Sequence, residues 1–156
     1  MSRAFKNCTS LTEITFEDKS SLETLDEYVF FKCSSLTKVT IPTSLKSIKR
    51  GSFAGCSSLS KISIPSSVIE IGEFAFNGCK SLRDIILPDS LCQIRKCSFK
   101  KCESLERIII PSSISKIESY AFFSCSSLSE VFILPTNATI EVLAFPSHTL
   151  VIQLYH

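Results

Sequence analysis

Eight cysteines in a chain of 156 residues are the side chains with the widest choice of chemistry here. Six of them, Cys8, Cys33, Cys56, Cys79, Cys102 and Cys125, recur at intervals of 25, 23, 23, 23 and 23 residues. A disulfide framework is the first chemistry such a series suggests, since many cysteines in a short chain can staple a secreted scaffold. Stacked at the ~4.8 Å separation of neighbouring strands, however, their Cβ atoms would point in parallel and stand further apart than the usual ~3.8 Å of a bridge. A zinc site is the second, and it needs four ligands around a tetrahedron. A straight row of thiols without a Cys-x-x-Cys clip does not supply them. The third is a column of small, apolar, buried free thiols, and this is the reading adopted. Cys92 and Cys97 lie off the series and could react, but the sequence fixes no base beside either.

Other reactive groups are few. His148 and His156 are the available imidazoles, and both lie at the C-terminal end. His148 stands where a seventh cysteine of the series would fall, so it is expected to be a partly buried spacer rather than a general base. There is no glycine-rich phosphate loop, no nucleophile elbow and no pair of carboxylates fixed on facing elements. We therefore expect no enzyme, cofactor or metal. Asn7-Cys8-Thr9 and Asn137-Ala138-Thr139 are glycosylation sequons, which matter only if the chain is exported. A net charge of +2 lacks the basic footprint of a nucleic-acid binder. No apolar run approaches the ~18 residues that read as a membrane span. The 44% apolar content argues against disorder.

The elements that must hold these residues follow from the same period. A phenylalanine lies three residues before each cysteine of the series, at Phe5, Phe30, Phe53, Phe76, Phe99 and Phe122, and Phe145 continues the register. A leucine lies three residues after each: Leu11, Leu36, Leu59, Leu82, Leu105 and Leu128. An apolar alternation comes next, as in Ile62/Ile64 and Ile108/Ile110, and Pro42, Pro65, Pro88 and Pro111 close the middle units. A final pair such as Val68/Ile71 or Leu91/Ile94 completes each one. The template is A/S-F-x-x-C-x-S-L-x-x-I-x-I-P-x-S-L-x-x-I. Two extra residues in Glu17-Asp18-Lys19-Ser20 lengthen the first interval and belong in a loop.

A unit of 23 residues cannot bury its own apolar positions, so the units must stack and turn each register position into a column. Period-two alternation makes Leu-x-x-Ile-x-Ile a strand in a broad parallel sheet. Proline ends that strand because it has no N–H for the ladder. Phe and Cys at i and i+3 share one face of a short 3₁₀ or α turn. The Ser-Leu-x-x-Ile leg is expected to form a second, narrower sheet. The serine two residues after each cysteine (Ser10, Ser35, Ser58, Ser81, Ser104, Ser127) recurs in every unit. That recurrence assigns it to the coil, as a hydroxyl bonding the backbone, rather than to phosphorylation.

From Ala4 to about Phe145 the template resembles the BspA-like class of leucine-rich repeats. The resemblance implies a single solenoid domain over residues 1–156, mainly β, with a parallel concave sheet and six to seven repeats. It also implies a surface or secreted protein of a host-associated bacterium or parasitic protist, active in adhesion and protein binding. The chain itself opens at Met1–Cys8 without an apolar leader, and an array of free thiols fits a reducing, intracellular setting. The expected function is a non-catalytic protein-binding scaffold. An adhesive fragment of a cell-surface protein is the alternative.

Positions that differ between units are where a solenoid places specificity. One outward column of the broad strands reads Glu13, Lys38, Lys61, Asp84, Arg107, Glu130, and a ladder of self-satisfied charges is expected there. The adjacent column reads Thr15, Thr40, Ser63, Ile86, Ile109, Phe132 and turns apolar toward the C-terminus. Three bare apolar side chains in a row make a patch that monomers rarely expose. The expected partner site is thus Ile86, Ile109 and Phe132, rimmed by Asp84, Arg107 and Glu130, with Phe132→Asp as its probe. The segment Leu150–Leu154 could cover that wall, but its own pattern reads as a seventh strand. Open ends of the stack also suggest end-to-end self-association or a larger assembly.

Overall fold

Alternating apolar residues build the broad strands, and the structure, a computed structural model, describes residues 3–17 and 19–155. Asp18 of the inserted loop and His156, one of the two imidazoles considered above, lie outside the described residues, as do Met1 and Ser2. Among the described residues, thirteen short strands alternate between two sides of a coil. The odd-numbered ones form the broad side: β1 (Glu13–Thr15), β3 (Lys38–Thr40), β5 (Lys61–Ser63), β7 (Asp84–Ile86), β9 (Arg107–Ile110), β11 (Glu130–Ile133) and β13 (Leu150–Gln153). The even-numbered ones form the narrow side: β2 (Thr24–Leu25), β4 (Ser47–Ile48), β6 (Glu70–Ile71), β8 (Gln93–Ile94), β10 (Lys116–Ile117) and β12 (Thr139–Ile140).

Every strand pair among the described residues is parallel, and all but the last, β11 with β13, keep the register of the repeat. On the broad side Lys61 faces Asp84, Ser63 faces Ile86, Arg107 faces Glu130 and Ile109 faces Phe132. Full ladders join β1 to β3, β5 to β7, and β9 to β11 to β13, while β3 and β5, and β7 and β9, lie side by side without one. On the narrow side Leu25, Ile48 and Ile71 form one column and Ile94, Ile117 and Ile140 another. The period-two rule holds in detail: Val39, Ile62 and Ile85 point into the core between exposed neighbours.

The Phe-x-x-Cys arm carries the i→i+3 hydrogen bonds expected of a 3₁₀ turn, such as Cys33 N to Phe30 O and Leu36 N to Cys33 O, both 3.1 Å. Among the described residues, though, these bonds build no helix. Residues in the left-handed region flank the phenylalanines from Phe5 to Phe122 on both sides, as at Tyr28 and Lys32, Gly51 and Gly55, Cys97 and Lys101, and Tyr120 and Ser124. Left-handed residues recurring this often break any helical run into single turns. They also leave alternate N–H groups bonding to the next rung. Gly51, Phe53 and Gly55 donate to the carbonyls of Glu73, Ala75 and Asn77 at 3.0, 2.8 and 2.7 Å. The arm is therefore a third hydrogen-bonded side of the coil, built without β-strands.

The core runs along the coil axis as stacked columns. Phe53, Phe76, Phe99 and Phe122 are fully buried, with successive ring centroids 5.2–5.4 Å apart and planes within 9° of parallel. The column extends to Phe5 and Phe30 at one end and Phe145 at the other. Five thiols each donate to the carbonyl of the phenylalanine one rung back: Cys33 to Phe5, Cys56 to Phe30, Cys79 to Phe53, Cys102 to Phe76 and Cys125 to Phe99, at 3.1–3.3 Å. Thus the cysteine column is a donor ladder as well as a packing element.

The serines require a correction. The hydroxyls two residues after each cysteine make no hydrogen bond among the described residues. There it is the backbone N–H of Ser81, Ser104 and Ser127 that bonds the previous rung. Hydroxyls that follow the prolines are among those that tie rungs together: Ser44 donates to Leu22 O at 2.8 Å and Ser67 to Leu45 O at 2.7 Å. Ser90 and Thr136 repeat the bond to Val68 O and Ile114 O. Two serines recur in every unit, and recurrence alone does not reveal which hydroxyl meets a carbonyl.

Candidate functional site

The outward side chains of β5, β7 and β9 border a groove of about 490 Å³ on the broad face. Asp84, Ile86, Arg107 and Ile109 line it, together with Lys61, Ser63, Asp89, Pro111 and Leu134. Four of the six residues expected at a partner site thus lie in one depression, which spans the seam where β7 and β9 lack a full ladder. The other two, Glu130 and Phe132, adjoin it through their registers with Arg107 and Ile109. Ile86 is 81% exposed and Ile109 57% exposed, which is far from the burial normal for isoleucine.

Phe132 departs from the expectation of three bare side chains in a row: it is half-buried. Its strand has a neighbour on both sides, with Ile109 of β9 at one flank and Ile152 of β13 at the other. The C-terminal segment joins the sheet as the seventh broad strand, in parallel register Glu130↔Leu150 through Ile133↔Gln153, and does not fold across the face. It prolongs the apolar column by one residue, so that Ile86, Ile109, Phe132 and Ile152 run across four successive strands. Ile152 was missed in the sequence because it follows Phe132 by 20 residues instead of 23. A fixed-period search stops one rung early.

The charged column behaves differently from the ladder expected of it. Lys38 reaches Glu13 at 2.5 Å and holds that carboxyl below its usual range by a direct hydrogen bond. Beyond it no ion pair forms among Lys61, Asp84, Arg107 and Glu130, which are described residues throughout. The other faces do the opposite. Lys46 pairs with Glu23 at 2.6 Å, Arg50 with Glu73 at 2.7 Å, Arg95 with Glu118 at 3.6 Å and Lys116 with Glu141 at 2.7 Å. Glu70 takes hydrogen bonds from Lys49 and Ser47, and Lys49 chiefly lowers its pKa. Exposed pairs of this kind each contribute only ~0–1 kcal/mol, so their location is more informative than their strength.

Half-buried aromatic residues on the turn arm lie against the chain's own cations. Lys6 sits 5.3 Å from the Phe31 ring, Arg3 5.7 Å from Tyr28, and Lys100 5.4 Å from Phe123. In the groove, exposed apolar surface adjoins charges that make no ion pair with one another.

The remaining reactive groups are dispersed. Cys97 is buried, and burial raises its thiol pKa, whereas Cys92 is exposed. His148 is exposed rather than the partly buried spacer expected. Asn7 and Asn137 of the two sequons are both exposed. Among the described residues no three His, Cys, Asp or Glu side chains converge as metal ligands, and no helix is long and apolar enough to cross a membrane.

Known proteins align with this architecture. A leucine-rich repeat protein from Bacteroides ovatus shares 28% identity over 85% of this chain and 42% of its own, with a TM-score of 0.64. The chain thus spans less than half of that relative. The T. pallidum leucine-rich repeat protein shares 26% identity over 94% of this chain and 70% of its own, with a TM-score of 0.80. A leucine-rich cell surface protein of Faecalibacterium prausnitzii, 24% identical over 98% of this chain and 57% of its own, has the same fold with a TM-score of 0.62. No curated protein gives a significant sequence match. The model of the BspA type leucine-rich repeat region matches in six copies over residues 1–73 and 46–153. The chain belongs to the BspA-type leucine-rich repeat family.

Proposed function

We propose that this chain is a non-catalytic scaffold that binds a protein partner through the broad face. Ile86, Ile109, Phe132 and Ile152 form the contact stripe, and Asp84, Arg107 and Glu130 form its rim. One observation carries the reading: exposed isoleucines lie beside four charges that make no ion pair with one another, although seven ion pairs form elsewhere among the described residues. Apolar surface supplies affinity when buried, and rim charges set orientation and partner choice. Panning a peptide library against the purified protein tests this, with the Ile86→Asp/Ile109→Asp double variant as counter-target. The expected outcome is a set of binders lost on the variant at unchanged circular dichroism. Binders that retain affinity for the folded variant would overturn the reading.

An adhesive segment of a cell-surface protein is the second reading, favoured by the family and by the exposed asparagines of the two sequons. Protein from its native source would then carry sugar on Asn7 or Asn137. Eight titratable thiols and no sugar would count against it. Self-association would use the outer edge of β13, and a sedimentation mass independent of concentration would reject it.

A further inference from the structure

We propose that the occupant of this groove is an amphipathic α-helix lying along the coil axis, perpendicular to the strands. The inference rests on the groove being the binding face and adds the form of what binds there. The apolar stripe crosses the strands, and a charged column bounds it on one side. Ile86, Ile109 and Phe132 have Asp84, Arg107 and Glu130 two residues before them, while Pro111 and Leu134 extend the apolar lining on the other side. A second sheet packed face to face needs an apolar face several residues wide on both sides of the stripe, and the charged column interrupts it. A linear ligand along the stripe meets one apolar side chain per rung.

The spacing then selects the ligand's backbone. Successive rungs are ~4.8 Å apart, so the three steps from Ile86 to Ile152 cover ~14 Å. A helix presents one apolar residue per turn at i, i+3/i+4 and i+7, with a pitch of ~5.4 Å, and three turns cover ~16 Å. An extended strand presents one every second residue at ~6.7 Å, and three steps cover ~20 Å. The helix stays in phase with the isoleucines within the reach of a side chain, and the strand loses a whole rung.

Charge gives a second constraint on the same partner. The column Lys61, Asp84, Arg107, Glu130 runs beside the stripe, about 7 Å away for residues two apart on a strand. It alternates in sign at one charge per rung. A helix of ~10–12 Å diameter centred on the stripe places its flank over that column. The matching flank carries acid, base, acid, base at one residue per turn. Apolar i/i+3/i+7 residues flanked by charges alternating turn by turn define the partner's surface.

Fluorescence anisotropy with labelled synthetic peptides tests this. One peptide has leucines at helical period with Glu and Lys alternating along one flank. A second has the same composition with leucines at every second position, and a third is the first with its flank signs inverted. The helical peptide is expected to bind about tenfold more tightly than the strand-period one. Inverting its flank should weaken binding about threefold at low salt, with the difference shrinking at high salt. Ile109→Asp and the milder Ile86→Ser should abolish or weaken binding, whereas Ile69→Asp, outside the groove, should not. A strand-period peptide that binds as well as the helical one, and is lost on Ile109→Asp, overturns the helix while leaving the groove in place. Binding by any peptide that ignores both groove variants overturns the groove as well. Failure of the helical peptide to bind, while library binders still depend on Ile86 and Ile109, overturns the helix alone.

Discussion

Raising the pH should unfold this protein through its buried thiols. Burial first, and a neighbouring thiol second, push Cys56 up to about 12 from the ordinary 9.0, and Cys79 and Cys102 well above it. Each proton is also the donor to a phenylalanine carbonyl one rung back. A pKa raised by folding means that the folded chain holds a proton the unfolded chain gives up. Stability from these groups is complete below about pH 9 and is lost as pH climbs toward about 12. Once the unfolded thiols ionise, each one costs up to ~1.4 kcal/mol per pH unit. For Cys56 the loss is about 1.4 kcal/mol at pH 10 and about 3 kcal/mol at pH 11, and Cys79 and Cys102 add to it in the same direction. Several such losses together are comparable with a typical domain stability of ~5–15 kcal/mol. Guanidinium unfolding followed by far-UV circular dichroism, with a reductant present, measures it from pH 8 upward. Cys79→Ala should lower stability at neutral pH yet make the alkaline slope shallower, because one of the groups that holds its proton in the folded chain is gone. An unchanged slope would refute the argument.

Other expectations follow from the columns. Phe76→Ala should cost about 4 kcal/mol in denaturant unfolding, because the ring is fully buried between two stacked neighbours. Phe5→Ala, at the open end and 48% exposed, should cost much less. Lys101 holds a left-handed conformation at the register occupied by Gly55 and Gly78, so Lys101→Gly should stabilise by about 1 kcal/mol in the same assay. Ser67→Ala removes a rung-to-rung bond and should destabilise by about 1 kcal/mol. Ser113 occupies the same register with a buried hydroxyl that has no partner, so Ser113→Ala should be neutral or stabilising in thermal melts.

The columns were legible in the sequence because burial imposes the same residue type on every rung. Phe, Cys, Leu and Ile each fill one register position, and the alternation around Ile62 or Ile108 can only be a half-buried strand. The left-handed positions were less legible. Glycine marks them at Gly51, Gly55 and Gly78, but Tyr28, Lys32, Cys97 and Lys101 adopt the same conformation without that signal. There the neighbouring rungs impose the backbone. At the candidate site, the shift from hydroxyl to apolar residues pointed to Ile86 and Ile109. The shortened last interval hid Ile152, and with it the reason Phe132 is half-buried. A written column of alternating charges also does not reveal whether the side chains meet. Lys38 and Glu13 do, and Asp84 and Arg107 do not.

Exposed isoleucines on different sides of the coil provide the most direct test of the binding face. Ile86 and Ile109 project from the broad side, while Ile69, beside β6, and Ile140, in β12, are exposed away from it. Methyl NMR of isoleucine-labelled protein, titrated with a library-selected binder, reads these four and Ile152 at once. The account predicts shifts or broadening at Ile86, Ile109 and Ile152, with Ile69 and Ile140 unmoved. Perturbation of Ile69 and Ile140 with Ile86 and Ile109 unchanged would contradict it.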